Sequence, residues 1–587
     1  MASHSPAGEV RGTVEDPPPI DAVRELIGTF GAAGRGHRQA LTMLADGTTL
    51  ADVVRSTALP RRLVEQVVTA LGAELLTAGD TLRIRADRAD AYRELADAPQ
   101  LAATALGLPG DDLLPDASGL LRDMERIVAG APRPKKSLDH VPATPETTVR
   151  RALWMDGTYD LAGATLLCVG DHDLTSIVTC LRNPAARAVV VDVDEDLLGY
   201  IDAVAGEHGL DIETAYADLR IGLPEIARGT ADLVFTDPPY TPDGVRLFLA
   251  RGLQGLRDRE HGRLLLAYGY GTHHPGLGLA VQRAIGELSL VYEAILPHFN
   301  RYVGAQAVGS ASDQYVCRPT ARTWRSLARV TTDAVNIYTH GAQSVEAGSD
   351  AGRRAVHDAV LAAAHGRDAT PVAATVFLTA PAAATELSLE TLLDGSAQAS
   401  LRNARSSALA ADLSDDPGTW LYRVLLGVNA RRVAVAVPNN HPDIVSQAAQ
   451  QALGGDLTGK WNLTFRRSTP GPKHAILVAD DAGEPRDPAA VACRQVLGGA
   501  ARKLETAWRD ALVKASRTTG VAVSRHEARE AVASAARAAG LRPGTIARPL
   551  LSLPRETVRA VLAAVTGSVT DATGRQASPP VRGTAVS

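Results

Sequence analysis

The chain is poor in the features that mark secreted, zinc-binding and membrane proteins. Its four cysteines are far apart and form no CxxC pair, which argues against a disulfide framework and a structural zinc site. No apolar run approaches the roughly 18 residues of a membrane helix, and the N-terminal stretch has no apolar signal core. The adjacent His273 and His274 lack matched Cys or His partners, so no metal site is predicted. We therefore expect a cytoplasmic protein with reduced thiols and no membrane segment.

Basic and aromatic residues are also scarce for a protein that reads nucleic acid. The 61 basic residues are outnumbered by 66 acidic ones, which gives a formal net charge of −5, and aromatic residues make up 4% of the chain. Nucleic-acid readers usually carry a basic excess and stack bases on aromatic side chains. A nucleic-acid partner is therefore open but not favoured.

The N-terminal part of the chain indicates a small helical domain. Polar, proline-rich residues 1–19 are predicted to be disordered. Residues 20–90 show the pattern helix, helix, turn, helix, hairpin, which is typical of a winged helix. Only Arg61 and Arg62 begin the would-be recognition helix, so a packing or dimerisation role is favoured over DNA reading. Residues 91–136 are predicted to form a helical linker.

The rest of the chain is predicted to contain two α/β regions and a helical region. Between residues 137 and 325, the runs "ATLLCVG", "AVVVDVD", "IETAYAD", "ADLVFTD" and "GRLLLAYG" alternate with helical stretches, which indicates a mostly parallel α/β sheet. Residues 326–487 form a second predicted α/β region of unknown role, and residues 488–575 are predicted to be helical. Residues 576–587 are predicted to be a disordered tail. No internal repeat is visible in the sequence.

The fourth predicted strand ends in an unusual turn, "FTDPPYTPDG". Its two prolines remove two backbone N–H donors, which leaves the carbonyl groups of the turn free to accept. Asp237, these carbonyls and the Tyr240 ring together resemble a cradle for an amine. The plain alternative is a rigid turn that ends the strand.

Other carboxylates follow the neighbouring predicted strands. The first strand ends in "CVGDHDLTS", where Gly170 is a lone glycine in place of a G-x-G-x-x-G loop. Asp171 and Asp173 would repel a phosphate group there, so a cationic adenosyl compound fits better than a nucleotide. A helix cap would explain Asp173 but would leave Asp171 unexplained.

The next two strand ends carry acidic residues that suit a nucleoside. Asp192 and Asp194 are candidates to hold ribose hydroxyl groups, and Asp218 is a candidate to accept from an adenine amino group. Each is a weak signal alone, since an exposed Asp after a strand is common in turns. Because the carboxyl ends of the strands in an open α/β sheet meet at one crevice, we expect all these carboxylates to face it.

These motifs resemble two groups of proteins. "DPPY" resembles the D/N-PP-Y motif of S-adenosylmethionine-dependent amino methyltransferases. The stretch from "SLDHVPATPETTVRRALWMDGTYDLAGATLLCVGDHDLTS" through "VVVDVDEDLLGYI" and "ADLRIGLP" to "DLVFTDPPYT" resembles the branched-chain polyamine synthase family, N4-bis(aminopropyl)spermidine synthase. The resemblance covers about residues 20–325. The family's three consecutive acidic residues appear here as Asp171, His172 and Asp173, and the region after residue 326 has no counterpart that we recognise.

The resemblance implies an enzyme in which a winged-helix-like domain precedes a Rossmann-like catalytic domain. It implies transfer of an aminopropyl group from decarboxylated S-adenosylmethionine, used as a co-substrate, to a polyamine such as spermidine; no tightly bound cofactor and a homodimer are expected. The donor is a dication, whereas the carboxylate of S-adenosylmethionine would be repelled by Asp171 and Asp173. Two unit charges at about 4 Å interact by roughly 4 kcal/mol at an effective dielectric constant of about 20.

The resemblance also suggests a role for each residue near the reaction. Asp237 and the Pro238 carbonyl would hold the attacking nitrogen, Asp237 would help to deprotonate it, and Tyr240 would pack on the acceptor. Asp171 and Asp173 would hold ammonium groups. His172, between two carboxylates, is expected to favour its protonated form and to offset part of the negative field.

Two other functions stay open at the level of sequence. One is an S-adenosylmethionine-dependent amino N-methyltransferase that acts on a base in nucleic acid. The other is a non-catalytic regulator that senses a polyamine or nucleoside and binds DNA through residues 20–90.

Overall fold

A computed structural model of the chain gives the fold of most of the sequence. It describes residues 18–30, 34–98, 101, 111, 114–271, 273–306, 309–329, 337, 350–367, 370–377, 386–393, 407–414, 416, 418–520 and 523–574. The predicted disordered ends lie outside these residues, except for residues 18 and 19. Within the described residues, no helix is both long enough and apolar enough to cross a membrane.

The N-terminal unit is a helical bundle with a small antiparallel sheet. Its helices are α1 (Pro19–Phe30), α2 (Arg35–Asp46), α3 (Leu50–Thr57) and α4 (Arg61–Leu71), and its strands are β1 (Thr48–Thr49), β2 (Leu75–Ala78) and β3 (Thr81–Ile84). The strand order is β1-β3-β2. The predicted helix–turn–helix and hairpin are therefore present, while the winged-helix assignment stays a prediction. Arg61 donates hydrogen bonds to Glu65 at 2.8 Å and to Gln306 at 2.7 Å, so the start of α4 lies against the first α/β region.

Helices connect this unit to a seven-stranded sheet. The helices before and within the first α/β region are α5 (Ala89–Ala96), α6 (Ser118–Gly130), α7 (Pro145–Thr158), α8 (Thr175–Arg182), α9 (Glu195–His208), α10 (Pro242–Gly255), α11 (Pro275–Glu287) and α12 (Thr323–Leu327). The strands are β4 (Thr165–Val169), β5 (Arg187–Asp192), β6 (Ile212–Tyr216), β7 (Leu233–Thr236), β8 (Arg263–Tyr268), β9 (Val291–Arg301) and β10 (Ala311–Arg318).

This first sheet has the order β6-β5-β4-β7-β8-β10-β9. Strands β4 to β8 pair in parallel, and β10 pairs antiparallel with both β8 and β9. The five predicted strands are β4 to β8, whereas the antiparallel pair β9 and β10 was not predicted. The sheet is buried on both faces, since Leu166 and Cys168 of β4 pack into one apolar core and Leu167 and Val169 into the other. This alternation follows from the two-residue period of a strand.

A second sheet follows in the C-terminal half. Its strands are β11 (Val372–Phe377), β12 (Glu386–Ser388), β13 (Ala408–Asp412), β14 (Arg432–Pro438), β15 (Trp461–Arg466) and β16 (His474–Asp481), in the order β12-β11-β13-β14-β16-β15. The helices of this half are α13 (Asp350–His365), α14 (Leu389–Leu393), α15 (Trp420–Gly427), α16 (Gln447–Asp456), α17 (Pro488–Gly498), α18 (Leu504–Thr518), α19 (Arg525–Ala538), α20 (Pro543–Ala547) and α21 (Arg555–Gly574). The predicted helical region after residue 488 contains five helices within its described residues, one of them short.

The second sheet repeats the topology of the first. Strands β11, β12, β13 and β14 pair in parallel like β4, β5, β7 and β8, and β16 pairs antiparallel with β14 and β15 as β10 does with β8 and β9. Helix α15 joins β13 to β14 as α10 joins β7 to β8. Strand β6 has no counterpart among the described residues. The chain therefore contains a structural repeat that its sequence does not reveal.

The C-terminal helical region covers the edge strand β6 of the first sheet. Arg542 and Arg548 donate hydrogen bonds to the carbonyl groups of Ile212 and Thr214. Residues two apart in a strand direct their carbonyl groups to the same side, so the two arginines satisfy the acceptors of the open edge. An edge that would otherwise be free to pair with another chain is thereby closed.

We expect Arg548→Leu to lower the free energy of unfolding by about 1–3 kcal/mol, because the substitution leaves the buried Thr214 carbonyl without this donor. Urea unfolding would measure the change, with Arg525→Ala at the exposed start of α19 as the control. Equal stability of Arg548→Leu and the wild type would show that the edge contact contributes nothing.

Candidate active site

A cavity of about 890 Å³ lies at the carboxyl ends of strands β4 to β7. The loop of residues 133–142 and the segment of residues 302–305 close its sides. The candidate site residues that line it are Gly170, Asp171, His172, Asp173, Asp192, Asp218, Asp237, Pro238 and Tyr240. Asp194 is the one sequence-predicted residue that is absent from the lining. The structure thus brings together residues from four strand ends, as the topology rule predicts.

The loop between β4 and α8 is a tight turn. It begins at Gly170 with φ of +73° and ends at Leu174 with φ of +60°, both in the left-handed region. A Cβ atom on Gly170 would lie 3.4 Å from the Phe248 ring and would also be strained by the positive φ. This geometry directs the side chains of Asp171 and Asp173 to different partners.

The Asp171 carboxylate caps the first N–H groups of helix α8 from three residues before Leu174, the residue that precedes the helix. Its carboxylate accepts hydrogen bonds from the N–H of Thr175 at 2.8 Å, the N–H of Ser176 at 3.1 Å and the Ser176 hydroxyl at 2.5 Å. Burial raises the pKa of Asp171 to about 7, against the lowering effect of these hydrogen bonds. The capping explanation that the sequence suggested for Asp173 is therefore wrong, and it applies to Asp171. The Asp171 carboxylate, and not that of Asp173, accepts from the first backbone N–H groups of the helix.

Asp173 pairs with a buried arginine. Arg151 of α7 donates to Asp173 at 2.7 Å, to Asn300 at 2.7 Å and to Asp237 at 3.2 Å, and its side chain is only 1% exposed. The other Asp173 oxygen accepts from the Ala143 N–H at 2.8 Å. Burial acts to raise the pKa of Asp173, but the Arg151 charge outweighs it and the pKa is lowered. Asp173 is therefore an anion with its own cationic partner.

Asp237 lies at the centre of a hydrogen-bond network. Its carboxylate accepts from the Tyr302 hydroxyl at 2.6 Å as well as from Arg151. The Tyr302 hydroxyl lies 2.8 Å from the Ser312 hydroxyl and 3.1 Å from that of Tyr240. Burial and the Asp173 charge raise the pKa of Asp237 to about 7, while Arg151 and Tyr302 act to lower it. A carboxyl group with this pKa can exchange a proton near neutral pH.

In the turn that contains Asp237, one backbone carbonyl group already accepts a hydrogen bond from the backbone. The Pro239 carbonyl accepts from the Thr241 N–H at 2.8 Å, so this carbonyl is not free as the sequence suggested. Pro238 lines the cavity, and the Tyr240 ring packs edge-on against Tyr268 with ring centres 5.2 Å apart.

The second strand end holds two carboxylates in different settings. Asp192 accepts from the N–H of Asp171 at 3.2 Å and from that of Asp194 at 2.8 Å, and burial raises its pKa to about 6. Asp194 caps helix α9, where it accepts from the Asp196 N–H at 3.1 Å, and it forms an ion pair with Lys135 at 2.6 Å. Asp194 is therefore occupied by the helix and by Lys135.

Asp218 is held by an arginine and by a tryptophan from the C-terminal half. Its first oxygen accepts from the N–H and the Nε of Arg220, both at 3.0 Å. Its second oxygen accepts from Arg220 Nη2 at 2.6 Å and from Trp420 Nε1 at 2.8 Å. A carboxylate has about four lone-pair positions. The expected acceptance from an adenine amino group would therefore require one of these bonds to break.

The prediction for His172 was wrong. Burial lowers its pKa, and this effect outweighs the neighbouring Asp173 and Asp194 charges, so the neutral form is favoured rather than the protonated one. The ring is partly buried and stacks on His140, with ring centres 4.2 Å apart and planes 19° apart. His172 thus places a neutral ring between Asp171 and Asp173 instead of adding a positive charge.

These contacts make the crevice less acidic than the sequence suggested. Each of the six predicted carboxylates accepts hydrogen bonds from groups of this chain, and four of them face a nearby cation. Asp173 and Asp237 share Arg151, while the other two face Lys135 or Arg220. Arg133 and Lys136 also line the cavity. Repulsion of a substrate carboxylate by Asp171 and Asp173 is therefore weaker than expected, because the helix amides and Arg151 offset their charge.

Sequence reasoning missed Arg151, Tyr302 and His140. Arg151 carried one signal, since it stands next to Arg150 in the apolar pattern "TVRRALW", where a buried cation requires an anionic partner. Tyr302 follows β9, a strand that was not predicted, so no pattern linked it to Asp237.

We expect Arg151→Met to lower the free energy of unfolding by about 3–5 kcal/mol at pH 8, because it leaves two buried carboxylates without their cation. The loss should shrink at pH 5, where Asp237 and then Asp173 can take up a proton. Urea unfolding at both pH values would measure it. The double variant Arg151→Met/Asp173→Asn should recover part of the loss, and a loss independent of pH would contradict the charge explanation.

Comparisons with known proteins cover the segment that carries these motifs. Residues 119–351 match the family described as branched-chain polyamine synthase A C-terminal domain. The chain is 35% identical over 188 residues to N(4)-bis(aminopropyl)spermidine synthase of Methanocaldococcus jannaschii, which covers 31% of this chain and 53% of the relative. It is 34% identical over 190 residues to the enzyme of the same name from Thermococcus kodakarensis, with 32% and 53% covered. The chain thus spans about half of the length of these curated relatives.

A solved structure is similar over a longer stretch at lower identity. The branched-chain polyamine synthase of Thermus thermophilus, in complex with N4-aminopropylspermidine and 5'-methylthioadenosine, is 19% identical and covers 51% of this chain and 92% of its own, with a TM-score of 0.36. The family match rests on the sequence comparisons and on the site motifs that lie within them. This similarity to the branched-chain polyamine synthase A C-terminal domain family extends over residues 119–351.

Proposed function

We propose that this chain is an aminopropyltransferase that moves an aminopropyl group from decarboxylated S-adenosylmethionine to a polyamine nitrogen. The observation that carries the proposal is the setting of Asp237, a partly buried carboxyl group with a pKa raised to about 7, in a Pro-Pro-Tyr turn that faces the cavity. The names of the curated relatives support the same reaction and a spermidine-derived acceptor.

The reaction needs an amine that is neutral and aligned with the donor. The nitrogen lone pair attacks the carbon bonded to the sulfonium sulfur, a C–N bond forms, and the C–S bond breaks. The electron pair of that bond stays on sulfur, so 5'-methylthioadenosine leaves as a neutral thioether. The proton lost by the nitrogen passes to Asp237 and then to solvent. Positioning and proton removal are thus the two tasks of the site.

The network around Asp237 suits both tasks. Tyr302 and Arg151 fix one Asp237 oxygen, which leaves the other oxygen to orient the acceptor nitrogen. Arg151 also prevents the pKa of Asp237 from rising further, since its charge stabilises the carboxylate. Tyr240 and Tyr302 supply the wall on which the acceptor chain packs.

The donor would lie along the ends of β4, β5 and β6. Asp192 is the candidate for the ribose hydroxyl groups, since it lines the cavity and accepts from the backbone N–H groups of Asp171 and Asp194, whereas Asp194 is paired with Lys135. Asp218 would hold the loop that lines the adenine end of the pocket, rather than accept a hydrogen bond from the adenine amino group. Because the crevice is less acidic than expected, it would repel the carboxylate of S-adenosylmethionine less strongly. S-adenosylmethionine is therefore tested as a second donor, which also tests the alternative methyltransferase reaction.

Product analysis decides between these reactions. The full chain is incubated with spermidine, and with shorter and longer polyamines, in the presence of either decarboxylated S-adenosylmethionine or S-adenosylmethionine. Mass spectrometry should detect an aminopropyl gain and 5'-methylthioadenosine with the first donor only. A methyl gain with the second donor would replace the proposal by a methyltransferase, and no turnover with either donor would overturn it.

We expect Asp237→Asn to lower turnover by about 10²–10⁴, because an amide cannot take up the proton. Binding of 5'-methylthioadenosine, measured by calorimetry, should stay near the wild-type value since Asp237 lies on the acceptor side. Asp243→Asn, in the exposed first turn of α10, is the matched control. A wild-type rate in Asp237→Asn would remove Asp237 from the mechanism.

We expect activity to rise with pH through about 7, as Asp237 loses its proton. Tyr302→Phe should move this rise to higher pH, because the lost hydrogen bond had stabilised the carboxylate. The pH profile of kcat/KM measures the shift, with Tyr200→Phe, which does not line the cavity, as the control. A lower rate with an unshifted profile would assign Tyr302 to packing alone.

A further inference from the structure

The repeat of the fold places a counterpart of the catalytic turn in the C-terminal half. The Asp237–Tyr240 turn lies between β7 and α10, so its topological equivalent is the segment between β13 and α15. That segment also carries an aspartate, Asp416, just before its helix. Asp237 and Asp416 therefore lie in topologically equivalent segments of the two sheets.

In the second unit this aspartate is closed off from any ligand. Its carboxylate accepts from the backbone N–H groups at the start of α15, including Trp420 at 3.0 Å and Leu421 at 2.7 Å, and from His441 at 2.9 Å. The side chains of Asp416 and His441 are both 0% exposed. The turn that holds a reactive carboxyl group in the first unit is thus a rigid helix cap in the second.

The helix fixed by this cap reaches the first unit through Trp420. Its indole N–H donates to Asp218 at 2.8 Å, and the Arg220 guanidinium lies 4.8 Å from the centre of its ring. Residues 217–219, the loop after β6, line the cavity. Trp420 therefore fills the last acceptor position of Asp218 and anchors a wall of the cavity from outside it.

The same helix holds the neighbouring loop through Arg423. This buried arginine pairs with Glu195 at 2.5 Å and lies 3.9 Å above the Tyr216 ring. Glu195 is the first residue of α9 and follows the Asp192–Asp194 loop. Two residues one turn apart on α15 thus contact the loops that follow β5 and β6, where the proposed donor would bind.

We propose that the C-terminal α/β unit is a duplicated copy of the catalytic fold that now orders the donor pocket of the first unit. Trp420 and Arg423 act as positioning residues for the donor: they hold the loops after β6 and β5 before the donor arrives. A pocket whose loops are ordered before the ligand arrives binds more tightly, because binding then loses less conformational entropy. This inference rests on the proposed adenosyl donor.

The test compares two tryptophan variants of the full chain. Trp420→Phe keeps the ring beside Arg220 and removes the N–H bond to Asp218. Trp461→Phe is the matched control, because Trp461 is also buried, lies in the same unit and loses an N–H bond of the same 2.8 Å length, to Leu425. Calorimetry with 5'-methylthioadenosine and the KM for spermidine are measured for both.

We expect Trp420→Phe to weaken binding of 5'-methylthioadenosine about tenfold, as for a lost hydrogen bond to a charged group, with the KM for spermidine nearly unchanged. Hydrogen exchange of the residue 217–219 amides should become faster without any ligand. Trp461→Phe should change neither quantity. Unchanged affinity and exchange in folded Trp420→Phe would overturn the inference.

A second variant keeps the inference testable if Trp420→Phe fails to fold. Glu195→Gln removes the partner of Arg423 from the catalytic side, and it should weaken 5'-methylthioadenosine binding without a change in the spermidine KM. Wild-type affinity in this variant as well would count against the inference. If the wild type itself bound no adenosyl compound, the proposed function would fail first, which distinguishes the two failures.

Discussion

The buried guanidinium of Arg151 is the contact on which the site depends. It joins helix α7 to three other elements: the loop after β4 through Asp173, the turn after β7 through Asp237, and strand β9 through Asn300. A charge that is almost fully removed from water is tolerated only when it is paired and hydrogen-bonded, as it is here. Arg151 therefore fixes the separation of two carboxyl groups and gives them different protonation behaviour.

This difference gives each carboxyl group its own chemistry. Asp173 faces Arg151 and a backbone N–H, so its pKa is lowered and it stays an anion. Asp237 shares the same arginine but also feels the Asp173 charge, so its pKa is raised to about 7. Two neighbouring acids whose pKa values are driven apart are typical of a site that moves a proton.

Three of the remaining carboxylates hold the loops around the cavity. Asp171 and Asp194 cap helices, and Asp218 is saturated by Arg220 and Trp420. Their role is to hold loops at strand ends, which explains why a crevice rich in aspartate is only moderately acidic. For the proposed transfer, selection among donors would then come from shape and from the specific partners of Asp192 and Asp237 more than from the total charge.

Local patterns in the sequence determined the parallel strands β4 to β8, the Pro-Pro-Tyr turn and the clustering of aspartates at one edge of the sheet. Strand period and the topology of α/β folds are enough for these, because they depend on short segments and on a general rule of chain direction. Only the tertiary structure decided which group each aspartate binds, why His172 is neutral, and that the C-terminal half repeats the fold. Trp420 and Asp218 lie 202 residues apart in the chain, so packing alone brings them together.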